Sequence, residues 1–358
     1  MQAFLKYMNE KLIEREQQSK LRGLEIYSDK IDFSSNDYLG IAKANNSGST
    51  GSRLISGNNK TIENLEIKFS RFVNQEESLL FHSGFQANLG LIPAIAPRGA
   101  TIIYDELIHA SLRDGIRLSN ANSFYFKHNN LEHLKQRLES SKGIVFIIIE
   151  SVYSMDGDSP NLPELIKLSQ EYSANVIVDE AHAIGLAGKN GTGLIHHLKL
   201  SNQVLATIYP LGKALGSSGA FISGSSVLTK YLINYCRSFI YSTSPSNTIV
   251  NEISSQLDML INYKDRNNIF RLKNYFLSKI DERLSIISGE YGAIVSVLIS
   301  DKLKLKKIEH KFLNEDFFVK AILHPTVAKG KERLRICFHS YNTDKEVDEL
   351  LYILNSFN

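Results

Sequence analysis

Gly143-Ile-Val-Phe-Ile-Ile-Ile149-Glu150 is an unbroken apolar run, rich in branched residues, that stops at a carboxylate. A strand with one wet face alternates apolar and polar residues. One covered on both faces does not, and such strands belong to parallel sheets sandwiched between helices. Working outward, similar runs occur at 79–82, 101–104, 175–178, 204–208 and 220–223, separated by helical periodicity at 85–96, 109–119, 131–140, 162–172 and 226–239. The alternation predicts an α/β fold with a mostly parallel central sheet covered by helices. Past residue 250 a long helix-like stretch (245–285) gives way to strand-like runs at 293–299, 317–323 and 334–338, then a final helix from about 343. That order predicts a small C-terminal α+β lobe. The expected divisions are 1–45, an N-terminal helix and substrate-site segment; 46–250, the large domain; and 251–358, the small one. The first helix, 3–21, carries Phe4, Leu5, Met8, Leu12 and Ile13 on one side.

The 358 residues, 43% hydrophobic and 22% charged, have ordinary globular composition and length enough for a large core. A net charge of +3 provides no basic field for nucleic acid, and Lys302-Leu-Lys-Leu-Lys-Lys307 reads as a solvated helix face. Two cysteines, Cys236 and Cys337, without metal-ligand spacing predict neither a disulfide framework nor a metal site, hence a reducing compartment. Neither a signal-peptide pattern nor a run of about 18 apolar residues is found, so the expectation is a cytoplasmic protein without a membrane span.

In Leu205-Ala-Thr-Ile-Tyr-Pro-Leu-Gly-Lys213-Ala-Leu-Gly216-Ser-Ser-Gly219 one lysine follows a strand-like run, bracketed by small residues. Partial desolvation there would lower the amine's pKa and suit it to bond a carbonyl, most commonly that of pyridoxal phosphate. A solvated loop lysine is the competing reading. Ligands of parallel sheets gather beyond the carboxyl ends of the strands, where other polar groups also fall. Val176-Ile-Val-Asp179-Glu-Ala-His182 offers a carboxylate for a pyridinium nitrogen and an imidazole for a phenolic oxygen; a helix-capping Asp with a structural His is the alternative. Ser83 and Gly84 open a helix whose first amides suit a phosphate. His109, just past another strand, is placed to stack on a flat ring, and Ser154 lies in the turn after Glu150. Arg335, between Leu334 and Ile336, belongs to a half-buried strand and offers a bidentate partner for a carboxylate. The loop Gly48-Ser-Thr-Gly51-Ser-Arg53-Leu-Ile-Ser-Gly57 follows no strand and is therefore not a dinucleotide fingerprint.

With Ser34-Ser-Asn-Asp-Tyr-Leu-Gly40, Ser83-Gly-Phe85, His109-Ala-Ser111, Ser154-Met-Asp-Gly-Asp158, Asp179-Glu-Ala-His182, Gly212-Lys213 and Arg333-Leu-Arg335, the chain resembles the α-oxoamine synthases. These are pyridoxal-phosphate enzymes of the aspartate-aminotransferase fold type I. The resemblance implies pyridoxal 5'-phosphate as cofactor, with Lys213 carrying it and moving protons. It implies Asp179 at the pyridine nitrogen, His182 at the ring oxygen and His109 stacked on the ring. Ser83, Gly84, Phe85 and Ser154 would lie beside the cofactor, and Thr243 would reach the phosphate in the partner subunit of an obligate homodimer. Asn36 and Arg335, with Arg22, would hold the substrate. Within the family, the tail Arg335-Ile-Cys-Phe-His-Ser-Tyr-Asn-Thr343 and the lean N-terminus favour condensation of L-alanine with a pimeloyl thioester, on acyl carrier protein or coenzyme A, in biotin biosynthesis. A sibling using glycine or serine, or a non-catalytic binding protein of the same fold, are the alternatives. The chain departs from the family at Pro210, where a hydroxyl residue near the phosphate is usual and Thr207 or Tyr209 would have to substitute. It departs also at Ile62, often a histidine, and at 41–47, shorter than the usual helix-bearing insert.

Overall fold

The computed structural model describes residues 1–27, 32, 34–39 and 48–357; the short segment 41–47 lies outside these. The main sheet contains β1 (Glu77–Phe81), β2 (Thr101–Asp105), β3 (Asn122–Phe126), β4 (Val145–Glu150), β5 (Asn175–Asp179), β6 (Ala206–Pro210) and β7 (Ala220–Gly224). Their order across the sheet is β1-β7-β6-β5-β4-β2-β3. The strands from β3 to β6 run parallel, whereas β7 is antiparallel to β6 and to β1. Parallel neighbours need long crossovers; an antiparallel pair needs only a loop. Residues 211–219 are that loop, and it keeps Lys213 at the carboxyl end of β6.

Every residue of β4 is buried, as its unbroken apolar run requires. Edge strand β3 has four exposed residues, and its strand-forming residues are only Phe124, Tyr125 and Phe126, too short a run to stand out beside the others. The N-terminal helix (Gln2–Gln17) buries Phe4, Met8 and Leu12, with the Phe4 ring edge-on to Phe146 of β4, centroids 5.0 Å apart. On the sheet near β6 and β7, Phe69 of the Lys60–Phe72 helix stacks on Phe221 at 3.9 Å and meets Tyr209 at 5.4 Å. Ile62 is fully buried in the same cluster. Burying each such side chain contributes about 1.5–3 kcal/mol, which fixes the sheet against its helices. The expected helix over 226–239 is broken at Cys236 into Ser226–Tyr235 and Arg237–Ile240. Among the described residues, no helix is long and apolar enough to cross a membrane.

The chain forms two compact units, residues 1–151 with 160–261, and 152–159 with 262–358. The second has its own antiparallel sheet, β10-β11-β9-β8, built from β8 (Ser285–Ser288), β9 (Ile294–Leu298), β10 (Lys320–Ile322) and β11 (Arg333–Cys337). The stretch expected to be helix over 245–285 is two helices, Asn247–Asn262 and Arg266–Lys279, followed by the start of β8. The Lys302–Asn314 helix buries Leu305, Ile308 and Phe312 and leaves Lys302 and Lys304 exposed, as its solvated lysine face predicts. Residues 152–159 belong to this unit through specific contacts. Asp156 forms a buried ion pair with Arg333, and the Ser296 hydroxyl donates to the Met155 carbonyl at 2.5 Å. Gly157, at φ +71°, lies where a Cβ would come within 2.5 Å of the Ile294 carbonyl oxygen.

Candidate active site

The carboxyl ends of β1, β2, β4, β5 and β6 open onto a cavity of about 490 Å³ lined by Ser83, Gly84, Phe85, His109, Glu150, Asp179, His182 and Lys213 among others. At its β1 end, Ser83 caps the Gly84–Ile95 helix, its hydroxyl accepting from the Gln86 amide at 3.2 Å. The first N–H groups of a helix have no internal partner and favour an anion. Gly84 permits this turn: a Cβ there would come within 2.7 Å of Pro210 Cγ.

Asp179 and Glu150 end adjacent parallel strands in register. Both are buried. Asp179 receives a donor on each oxygen, the Ala181 amide on Oδ1 and the Asn88 side-chain amide on Oδ2, each at 2.9 Å. Burial, reinforced by the Asp179 charge, pushes the Glu150 carboxyl well above the ordinary carboxylate range, against the 2.6 Å hydrogen bond it accepts from the His109 amide. Two carboxyl groups packed in low dielectric do not readily both ionise.

His109 is exposed to the cavity, and its Nδ1 accepts from the Ser111 amide at 3.2 Å and lies 2.8 Å from the Ser111 hydroxyl. Lys213 sits in a tight turn closed by hydrogen bonds from Gly216 N–H to its carbonyl and from Leu211 N–H to the Gly219 carbonyl, both 3.0 Å. The expected partial desolvation of Lys213 is not what the structure shows: the side chain is exposed. Gly212, Ala214 and Gly216 put no bulk around its stem, so the spacing that admits a ligand also admits water.

Thr207 and Tyr209 do not replace the hydroxyl missing at Pro210. Both hydroxyls are fully buried and outside the lining, because the two side chains, two positions apart in β6, project from the same face of the strand into the core. Pro210 itself lines the cavity, as do Ser217 and Ser218 on the following loop. Asn36, Arg22 and Thr243 are also outside the lining. The Asn36 amide donates to the Thr50 carbonyl at 3.0 Å, Arg22 is tied to Asn234, and Thr243 is an exposed residue bridged to Ser52. In the second unit Arg335 is half-buried, as its apolar neighbours predict, and its Nε donates to the Ser154 carbonyl at 2.7 Å. Sequence reading gave no role to Asn88, Ser111 or Glu150; a carboxylate closing an all-apolar strand was the one usable signal, at Glu150.

The cavity thus has a helix N-terminus, an imidazole, a buried carboxylate and an exposed amine on its lining. These fit a flat, phosphorylated, nitrogen-ring aldehyde. Fold and site define an α/β transferase built like the pyridoxal-phosphate enzymes of fold type I. The aminotransferase class I and II model matches residues 28–354, and the chain belongs to that family. It is 34% identical over 335 residues to an 8-amino-7-oxononanoate synthase of Lysinibacillus sphaericus, covering 89% of this chain and 86% of that one. It is 36% identical over 333 residues to a putative 8-amino-7-oxononanoate synthase of Methanococcus vannielii, covering 87% of each. Among solved structures, the 8-amino-7-oxononanoate synthase of Francisella tularensis superposes with a TM-score of 0.75 at 29% identity, covering 92% of this chain and 98% of that one. The serine palmitoyltransferase of Sphingomonas wittichii superposes at 0.81 with 25% identity, covering 99% and 97%.

Proposed function

We propose that this protein is a pyridoxal-5'-phosphate-dependent 8-amino-7-oxononanoate synthase. It joins the α-carbon of L-alanine to the carbonyl carbon of a pimeloyl thioester, releasing the thiol and carbon dioxide. The observation that carries the chemistry is the convergence of Lys213, Asp179, His109 and the Ser83–Gly84 helix end in one cavity; the relatives' names supply the substrates.

Bound pyridoxal phosphate supplies an electron sink for the charge left on the substrate's α-carbon. The chain's own groups make that possible. The Asp179 carboxylate would hold a proton on the ring nitrogen, and the His109 imidazole would pack against the ring. Ser83 and the first amides of the helix receive the phosphate, with Phe85 beside it. His182 donates to the ring oxygen. The Lys213 amine would hold the cofactor, and its Nζ would be the group that takes the substrate's α-proton and returns a proton. Asn36 and Arg335 would orient the amino acid's carboxylate, Arg22 would contact the substrate, and Ser154 would support the cofactor. Thr243 serves the phosphate of a partner subunit in a homodimer, which accounts for its place outside this chain's own cavity lining.

The test is a visible absorbance spectrum of the purified protein with pyridoxal phosphate, titrated separately with L-alanine, glycine and L-serine. A yellow protein whose band responds best to alanine, and which then releases thiol from pimeloyl-coenzyme A or pimeloyl-acyl carrier protein, is the expected result; the preferred thioester identifies the carrier. A response best to serine would favour the second reading, a serine-using sibling, which the superposition on serine palmitoyltransferase supports. A protein that stays colourless would overturn the catalytic reading.

A further inference from the structure

Asn88 lies one turn inside the Gly84–Ile95 helix and is 1% exposed. Its side-chain amide nitrogen is 2.9 Å from Asp179 Oδ2 and also 2.9 Å from the Ser111 hydroxyl. An NH₂ group has two hydrogens, and both are used. Ser111, likewise 1% exposed, passes the connection on: its hydroxyl is 2.8 Å from His109 Nδ1, and its amide donates to that same nitrogen. One buried amide therefore links, through Ser111, the two groups that on the reading above would both meet the cofactor, Asp179 and His109.

We infer that Asn88 and Ser111 form a positioning relay that holds the Asp179 carboxylate and the His109 ring in one fixed mutual geometry. Neither touches the reacting atoms; both act through the groups that do. The relay also sets the form of His109. The amide of Ser111 can only donate, so Nδ1 must accept, and a neutral imidazole then carries its proton on Nε2. The network spans the phosphate-binding helix, the helix begun by His109 and the end of β5. A shift of any one of these elements is felt by the other two. Buried networks of this kind hold geometry because an unpaired member is costly.

The inference rests on the cofactor reading, and one set of titrations separates the two. The dissociation constant of pyridoxal phosphate and the pH profile of its visible band are measured for the wild type, Asn88→Ala, Ser111→Ala, Asp179→Asn and the double variant Asn88→Ala/Asp179→Asn. Melting temperatures of the cofactor-free proteins are measured alongside. Asn88→Ala is expected to weaken binding roughly tenfold and Ser111→Ala roughly threefold, both with a displaced pH profile. In the Asp179→Asn background, Asn88→Ala should cost less than about twofold more, since the group it acts through is already altered. Losses that multiply in the double variant would overturn the relay. So would affinities within twofold of wild type with superimposable pH profiles. If Asn88→Ala does not fold, Ser111→Ala, which leaves the Asn88–Asp179 bond in place, decides by the same criteria. A wild type that binds no pyridoxal phosphate removes the cofactor reading, and the relay falls with it.

Discussion

Glu180 follows Asp179 in sequence and points the other way, into the core. It is fully buried, and its Oε1 accepts from the Leu194 and Ile195 amides at 2.9 Å each. Burial raises its carboxyl from 4.5 to about 7, although those amides and Ser151 work in the opposite direction. A raised folded-state value means that the group's stabilisation is fully present below the unfolded value. It is lost as pH climbs through the folded one. Glu180 therefore costs the fold up to about 3 kcal/mol between pH 4.5 and 7. Glu180→Gln retains an oxygen acceptor and cannot ionise. Thermal melts at pH 5 and pH 8 should show a smaller drop for this variant than for wild type; equal drops would remove Glu180 as a source of the pH dependence.

At the scale of elements, the Gly51–Gly57 loop shows how a stretch without regular structure is held. Arg53, 2% exposed, binds both carboxylate oxygens of Glu66 and the Asn58 side chain, and Glu66 also accepts from the Leu80 amide at 2.8 Å. The guanidinium thus ties the loop to the Lys60–Phe72 helix and to β1, and its carbon lies 5.6 Å from the Phe239 ring centroid. Removing one member of such a pair leaves a buried charge without its partner. Arg53→Ala should lose about 3–5 kcal/mol, read as a fall in the urea midpoint at unchanged m-value. A loss under about 1 kcal/mol would show the loop to be held by other contacts. In a loop of mostly small residues, Arg53 works as an anchor.

For the whole molecule, the dimer reading makes a prediction that a monomeric enzyme cannot meet. Lys213→Ala should be inactive, and Thr243→Asp, which puts a negative charge where the phosphate is expected, should lose at least tenfold in activity. If each site draws Lys213 from one chain and Thr243 from the other, a mixed dimer of the two variants contains one intact site. Unfolding and refolding an equimolar mixture should then restore about a quarter of wild-type activity, since half the dimers are mixed and each has one of two sites intact. No recovery above the separate variants would place both residues in the same chain's site.

The amino-acid sequence by itself determined the layered α/β core, because strands buried on both faces must be apolar throughout, as Ile147–Ile149 of β4 are, and such runs are legible residue by residue. It determined the strand-end positions of Ser83, His109, Asp179 and Lys213 for the same reason: a polar residue that stops an apolar run marks where the strand leaves the core. The edge strand β3 did not stand out, since only Phe124, Tyr125 and Phe126 are strand formers and a strand with four of five residues facing solvent requires no longer apolar run. Nor did the break at Cys236, the buried Thr207 and Tyr209 hydroxyls, or the exposure of Lys213. Only the tertiary structure decided what surrounds the site. Asn88 is an unremarked polar residue in an apolar helix until folding brings residues 23 and 91 positions away, Ser111 and Asp179, against its amide. Hydrogen bonds of that range leave no local pattern, because their geometry belongs to the packing of elements and not to the spacing within any one of them.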